Sequence, residues 1–150
     1  MWRAITEADL LNKISGAELT AFRASVLADG QGDPIQTAID QQSEIARGYI
    51  GRCQNNFPLG AGLTLPSMLI PAVVDLIIMD VMSRAGGVII DPDGVRKSNA
   101  SKATALLRDV ARCMFVIEAA TTPSTEALAL AHPSFKGRQP KFSRCDENGI

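Results

Sequence analysis

The sequence predicts an all-α fold, a small bundle of four to five helices with one long central helix. Apolar residues recur at helical spacing in several segments, and the longest of these runs from residue 36 to residue 54. Residues that favour helix starts precede most of these segments. The chain has 150 residues, of which 46% are hydrophobic but only 5% aromatic, so we expect one core built from aliphatic side chains.

Two short helices are expected before the long one. Thr6 and Asp9 resemble a capping box, with Asp in place of the usual Glu, at the start of the first helix. Ser15 and Glu18 form a standard capping box for the second helix, which we expect to run through Leu27.

The long helix has the clearest start signal in the sequence. Asp33 is suited to cap it, and Pro34 fits the first helical position, where its missing N–H costs nothing. The pattern ends before the turn at Phe57-Pro58-Leu59. The apolar stripe of this helix consists of Ile35, Ala38, Ile39, Ile45, Tyr49, Ile50 and Cys53.

Two further helices are predicted at 66–85 and 99–119. Pro71 lies inside the first pattern, so we expect a kink or a broken first turn there. The stripe of the second consists of Ala103, Leu106, Leu107, Val110, Met114 and Ile117. The residues expected at the centre of the bundle are Ile39, Ile45, Tyr49, Leu76, Ile77, Leu107 and Val110.

The end of the chain has a different character, which divides it into a helical domain (1–122) and an extended C-terminal arm (123–150). The arm lacks an apolar stripe along most of its length and contains three prolines, so we expect it to lie outside the core. Its cations alternate with two phenylalanines, a pattern suited to docking on a partner. The candidate partner-binding residues are Phe135, Lys136, Arg138, Lys141, Phe142 and Arg144.

Residues for catalysis or metal binding are sparse. The only histidine, His132, lies next to a proline within the arm, and the three cysteines are scattered, so we expect no enzyme activity, no cofactor and no metal site. We expect Cys53 and Cys113 to be reduced thiols packed in helices. We also expect Asp80 to pair with Arg84 one helical turn later.

Membrane insertion is not expected. The N-terminus lacks the apolar run of a signal peptide. The most apolar segment, 68–82, is too short for a bilayer and is interrupted by Asp75 and Asp80.

Several segments together resemble the Mu-like phage head–tail connector proteins, which are small helical adaptors. The matching segments are Ile5–Leu10, Ala38-Ile39, Glu44-Ile45, Tyr49-Ile50, Phe57–Leu59, Pro66, Pro71–Leu76 and Ala105–Val110. The resemblance covers about residues 5–118. Met79, Met82 and Arg84 replace aromatic residues often found in the family's third helix, and the arm has no clear counterpart.

The resemblance implies a structural role in the virion at the head–tail interface, after assembly in the host cytoplasm. A closed ring of about twelve subunits would dock beneath the portal protein and offer a surface to a tail-side connector or tail terminator protein. Double-stranded DNA would pass through the ring without specific contacts. The C-terminal arm would attach the subunit to the portal or to a neighbouring subunit.

The alternative is a small helical DNA-binding or packaging-related phage protein, which needs a basic helix. The predicted helix 99–119 supplies Lys102, Arg108 and Arg112. Asp109 and Glu118 on the same predicted helix offset these charges.

Overall fold

The computed structural model describes residues 1–26, 32–84 and 94–120, and it confirms the predicted all-α fold. The described elements, in chain order, are β1 (Trp2–Arg3), α1 (Glu7–Leu11), α2 (Gly16–Val26), α3 (Pro34–Gly51), a 3-10 turn (Gln54–Asn56), β2 (Leu65–Pro66), α4 (Ile70–Arg84) and α5 (Val95–Ala111). The three long helices α3, α4 and α5 pack on one another, and the contact between α4 and α5 is the most extensive. The short helices α1 and α2 cover this unit by packing on α4 and α3, respectively.

The predicted helix starts in the first third of the chain are confirmed. The Asp9 carboxylate accepts a hydrogen bond from the Thr6 backbone N–H at 2.9 Å, and the Glu18 carboxylate accepts one from Ser15 N–H at the same distance. The Asp33 side chain accepts from Ile35 N–H at 3.0 Å, with Pro34 in the first helical position. Local side-chain chemistry is sufficient to place these three starts because every partner is within three residues.

The predicted start of α4 at Pro66 is wrong by four residues. Leu65 and Pro66 instead form β2, which pairs antiparallel with β1 in the register Trp2 to Pro66 and Arg3 to Leu65. A turn follows, and the helix begins at Ile70, so Pro71 lies in its first turn. Proline is tolerated there because the first N–H groups of a helix have no intrahelical acceptor.

The predicted range of α5, 99–119, is also wrong at both ends. The helix begins at Val95 after Gly94, whose φ of 65° is in the left-handed region that glycine readily adopts. It ends at Ala111 because Cys113 has a φ of 60°. The N–H groups of Cys113 and Met114 then bond to the carbonyls of Val110 and Asp109, the pattern of a Schellman motif.

The expectation that Cys53 and Cys113 are reduced thiols is wrong. Their side chains form a disulfide bond, with the two Cα atoms 5.4 Å apart. Cys53 is the residue before the 3-10 turn that follows α3, and Cys113 is the left-handed residue that ends α5. The bond therefore joins the ends of two helices that pack side by side.

The core is aliphatic, as predicted, and four of the seven residues expected at its centre are buried: Ile39, Ile77, Leu107 and Val110. Tyr49 and Leu76 are only half-buried, and Ile45 is 49% exposed. The inward face of α3 instead uses Ser43 and Ala46, both almost fully buried. These small residues allow neighbouring helices to approach closely, and this face leaves Ile45 on the adjoining, exposed side.

Among the described residues, the structure contains no helix that is long and apolar enough to cross a membrane. The helix containing most of segment 68–82 is α4, and its buried residues pack within the core.

Candidate interaction surfaces

The loop after α3 is held by an arginine that the sequence pattern leaves unexplained. The Arg47 guanidinium donates hydrogen bonds to the carbonyl oxygens of Thr64 at 2.7 Å and Gly60 at 3.0 Å. Gly60 lies under the indole of Trp2, and an added Cβ atom would lie 2.7 Å from the ring. The Trp2 side chain of β1 therefore leaves no room for a side chain at Gly60. The loop is packed against the strand and does not form an open site.

Two salt-bridge clusters join the short helices to the rest of the fold. Arg23 on α2 bonds Glu7 and Asp33, each at 2.8 Å, so it connects α1 with the start of α3. Glu18, which caps α2, also accepts a hydrogen bond from Arg96 on the first turn of α5 at 2.9 Å.

Three carboxyl groups in these contacts have lowered pKa values. The Arg3 guanidinium and the Thr6 N–H hold the pKa of Asp9 well below its usual value of 3.8. The Ser15 N–H and Arg96 lower the pKa of Glu18, and Arg23 with the Ile35 N–H lowers the pKa of Asp33. In each case hydrogen bonds to the charged form outweigh the cost of partial burial.

These shifts predict that acid destabilises the fold. A carboxyl whose pKa is lowered by folding contributes stability above its unfolded pKa, and that contribution is lost as pH falls through the folded value. The unfolded values are 3.8 for Asp and 4.5 for Glu. We therefore expect the free energy of unfolding, measured in urea, to decrease as pH falls below about 4.5, and to continue decreasing below 3.8.

Variants assign this acid sensitivity to particular residues. Asp9→Asn should give the largest reduction in the pH dependence, since the Asp9 side chain is only 12% exposed. Glu44→Gln is the matched control, because Glu44 is exposed on α3 and forms no ion pair with the described residues. Equal pH dependence in wild type and Asp9→Asn would contradict the assignment.

The two carboxylates of α4 are both engaged in ion pairs. Asp80 pairs with Arg84 at 2.7 Å, which confirms the expected contact one turn apart. Asp75 pairs with Lys13 at 2.6 Å, and the same lysine donates to the Pro71 carbonyl at 2.8 Å. Within the described ranges, no group of three or more His, Cys, Asp or Glu side chains could hold a metal ion.

One face of α5 carries exposed cations. Lys102, Arg108 and Arg112 are exposed, and none of them forms an ion pair with another described residue. Because α5 ends at Ala111, Glu118 does not lie on this helix, contrary to the prediction. Glu118 instead binds the N-terminal amine of Met1, and its backbone carbonyl accepts a hydrogen bond from the Trp2 indole at 2.7 Å.

Exposed apolar residues gather at the end of the molecule that holds the N-terminus. The Met1 carbonyl accepts a hydrogen bond from Ser67 N–H at 2.8 Å, and the Met1 amine binds Glu118. Met68 follows Ser67 and Val116 lies two residues before Glu118, so the backbone segments that carry these residues meet at Met1. We call Met1, Met68 and Val116 the apolar end patch; its members are 48–81% exposed.

Two open grooves flank α5. One lies between α3, α4 and α5, has a volume of about 390 Å³, and is lined by Gln42, Leu76, Met79, Asp80, Ser83, Ala100, Ser101 and Thr104. The other has a volume of about 270 Å³ and is lined by Met68, Pro71, Ala72, Asp75, Asn99, Lys102, Ala103 and Leu106. Neither lining contains a histidine or a cysteine, and the one acidic residue in each already has a cationic partner.

The predicted partner-binding residues in the C-terminal arm lie outside the described residues: Phe135, Lys136, Arg138, Lys141, Phe142 and Arg144. The last described residue, Ala120, is buried two residues beyond Glu118.

Sequence reasoning missed the apolar end patch; it identified the cations of α5 but wrongly placed Glu118 on the same helix. The patch depends on the pairing of β1 with β2 and on the contacts of Met1 and Trp2 with Glu118, which bring three distant parts of the chain together. The basic composition of α5 is visible in the sequence, but its true limits depend on the left-handed residue at Cys113. A search of protein-family models, of curated proteins and of solved structures finds no match to this chain.

Proposed function

We propose that this chain is a head–tail connector subunit of a tailed phage, a structural virion protein that forms a ring beneath the portal and joins the DNA-filled capsid to the tail. The observation that carries the proposal is the order of the resembling segments along a helical framework. These segments lie at the start of α1, along α3, in the turn after it, in α4 and in α5. A connector needs a stable helical body and surfaces for neighbours, and it needs no catalytic site.

The apolar end patch supports an assembling protein. Exposed apolar side chains on segments that meet at Met1 are costly for an isolated subunit and are typical of surfaces that contact another protein. In a closed ring each subunit presents two different surfaces to its neighbours. We place the patch in such a contact or against the portal, with a tail-side connector or tail terminator protein on the opposite face of the ring.

The C-terminal arm, residues 123–150, is proposed to hold the subunit on the portal or on an adjacent subunit. Two phenylalanines would fill pockets on the partner while four cations would meet carboxylates. An extended segment of this composition can form a large contact without a core of its own.

Truncation of the arm tests the proposal. Deleting residues 124–150 should leave helicity and the melting temperature almost unchanged, but it should abolish stable attachment to DNA-filled heads. Images of wild-type particles should show about twelve copies of this chain beneath the portal, arranged with cyclic symmetry. A matched control replaces only Phe135 and Phe142 with alanine, which should weaken attachment without shortening the chain.

Two results would count against this proposal. If the connector density in the finished particle contains no copy of this chain, the chain is not a connector subunit. Unfolding of the truncated protein would show that residues 124–150 belong to the core, so the proposed division at residue 122 would be wrong.

The second candidate function is a DNA-binding or packaging-related phage protein. The observation that favours it is the exposed cationic face of α5, which lacks the Glu118 charge that the predicted helix 99–119 includes. Chromatography of the subunit with and without DNA, at low and high salt, distinguishes a DNA-binding module from a subunit that associates only with the head.

A further inference from the structure

We propose that the exposed face of α5 is a binding surface for the phosphate backbone of double-stranded DNA. The inference rests on the proposed function only in its choice of DNA as the polyanion, since a ring beneath the portal would surround the passing duplex. The surface itself is defined by charge, spacing and the side chains between the cations.

Positive charge is concentrated on this helix. Residues 95–112 contain five basic residues and one acidic residue, whereas the whole chain has a net charge of −1. Of the five, Arg96 faces α2 and bonds Glu18. The exposed cations Lys102, Arg108 and Arg112 remain available for an external anion, since they form no ion pair with the described part of the chain. The segregation of charge creates a local positive potential although the whole chain is slightly negative.

The helical geometry places these cations along one side. Arg108 and Arg112 are one turn apart and project in nearly the same direction, while Lys102 lies at the edge of the same exposed face. The axial distance from Lys102 to Arg112 is about 15 Å at the usual helical rise. The cations can therefore reach several phosphates of one duplex, because phosphates follow one another every few ångströms along DNA.

The remaining side chains of the face favour a nucleic acid over an acidic protein. Ser98, Ser101 and Ala105 are exposed, small and uncharged, so the long cations extend beyond them, and the half-buried Asp109 is the one acidic residue on this side of α5. Protein interfaces normally have an aromatic or aliphatic centre. The stretch from Ser98 to Arg112 presents no large apolar side chain at its fully exposed positions. Phosphate binding requires only reach and positive charge, and the short side chains provide little means to read base edges.

The test measures the salt dependence of binding between the full-length chain and a duplex of about 20 base pairs, two helical turns long. Each phosphate contact adds about 0.9 to the slope of log affinity against log salt concentration. The triple variant Lys102→Gln, Arg108→Gln and Arg112→Gln should therefore reduce the slope by about 2.7. Through these three contacts alone, wild-type affinity should fall by about 40-fold when salt rises fourfold.

Two further variants control for general effects of charge. Arg3→Gln removes an exposed cation of β1 that is already paired with Asp9, and it should leave the slope unchanged. Asp109→Asn removes the one acidic residue of α5 and should strengthen DNA binding. Circular dichroism should show unchanged helicity in all variants, because the replaced side chains are not in the core.

Three outcomes would overturn the proposal. The first is that the wild type does not bind DNA. The second is that the triple variant keeps the wild-type slope because the arm cations hold the DNA. The third is that the three substitutions weaken binding only when poly-glutamate replaces DNA. The last would identify an acidic protein surface as the partner. Attachment to DNA-filled heads is scored separately, so loss of the connector role and loss of DNA binding remain distinguishable.

Discussion

Removing the disulfide between Cys53 and Cys113 is expected to lower the free energy of unfolding by about 4 kcal/mol. The bond closes a loop with a sequence separation of 60 residues, and in the chain-entropy model a loop of that length restricts the unfolded chain by about this amount. Cys113→Ser is the preferred variant because Cys113 is exposed, whereas Cys53 is buried and can remain as a packed thiol. Urea unfolding of wild type and variant under oxidising conditions measures the difference.

A reducing agent provides the matched control for this prediction. It should destabilise the wild type by about the same amount, about 4 kcal/mol, and should not affect Cys113→Ser. Alkylation followed by mass spectrometry should find two more reactive thiols in the reduced wild type than in the oxidised one. If the wild type unfolds at the same urea concentration with and without reductant, the bond does not stabilise the fold.

Leu107→Ala is expected to lower the free energy of unfolding by about 2–5 kcal/mol, the range for large-to-small substitutions in a packed core. Leu107 is 1% exposed and belongs to the cluster formed where α5 packs on α4. The substitution removes buried apolar atoms and leaves a cavity that the surrounding helices fill only in part. Urea unfolding monitored by circular dichroism measures the loss.

Leu106→Ala is the matched control, since a leucine side chain is truncated at the preceding position of the same helix. Leu106 is only half-buried against the core, so the expected loss is clearly smaller. Similar losses for the two variants would mean that α5 is rotated relative to this structure. Wild-type stability of Leu107→Ala would mean that α5 does not pack on the core at all.

The sequence by itself determined the fold class and most helix starts in this protein. The starts of α1, α2 and α3 depend on side chains that bond to backbone groups within three residues, so the necessary information is local. The i,i+4 pair of Asp80 with Arg84 is local in the same sense. Helical periodicity also identified Ile39, Ile77 and Leu107 as core residues, because a buried face repeats with the helix turn.

Only the tertiary structure decided the features that join distant parts of the chain. The pairing of Trp2 with Pro66 moved the start of α4, and the approach of Cys53 to Cys113 accompanies a left-handed residue that ends α5 early. Because α5 ends at Ala111, Met114 and Glu118 do not lie on this helix, and Met114 is exposed. No local pattern records these contacts, because each depends on how the helices pack. The prediction that Ile45 is buried is wrong for the same reason, since packing determines which side of an amphipathic helix faces the core.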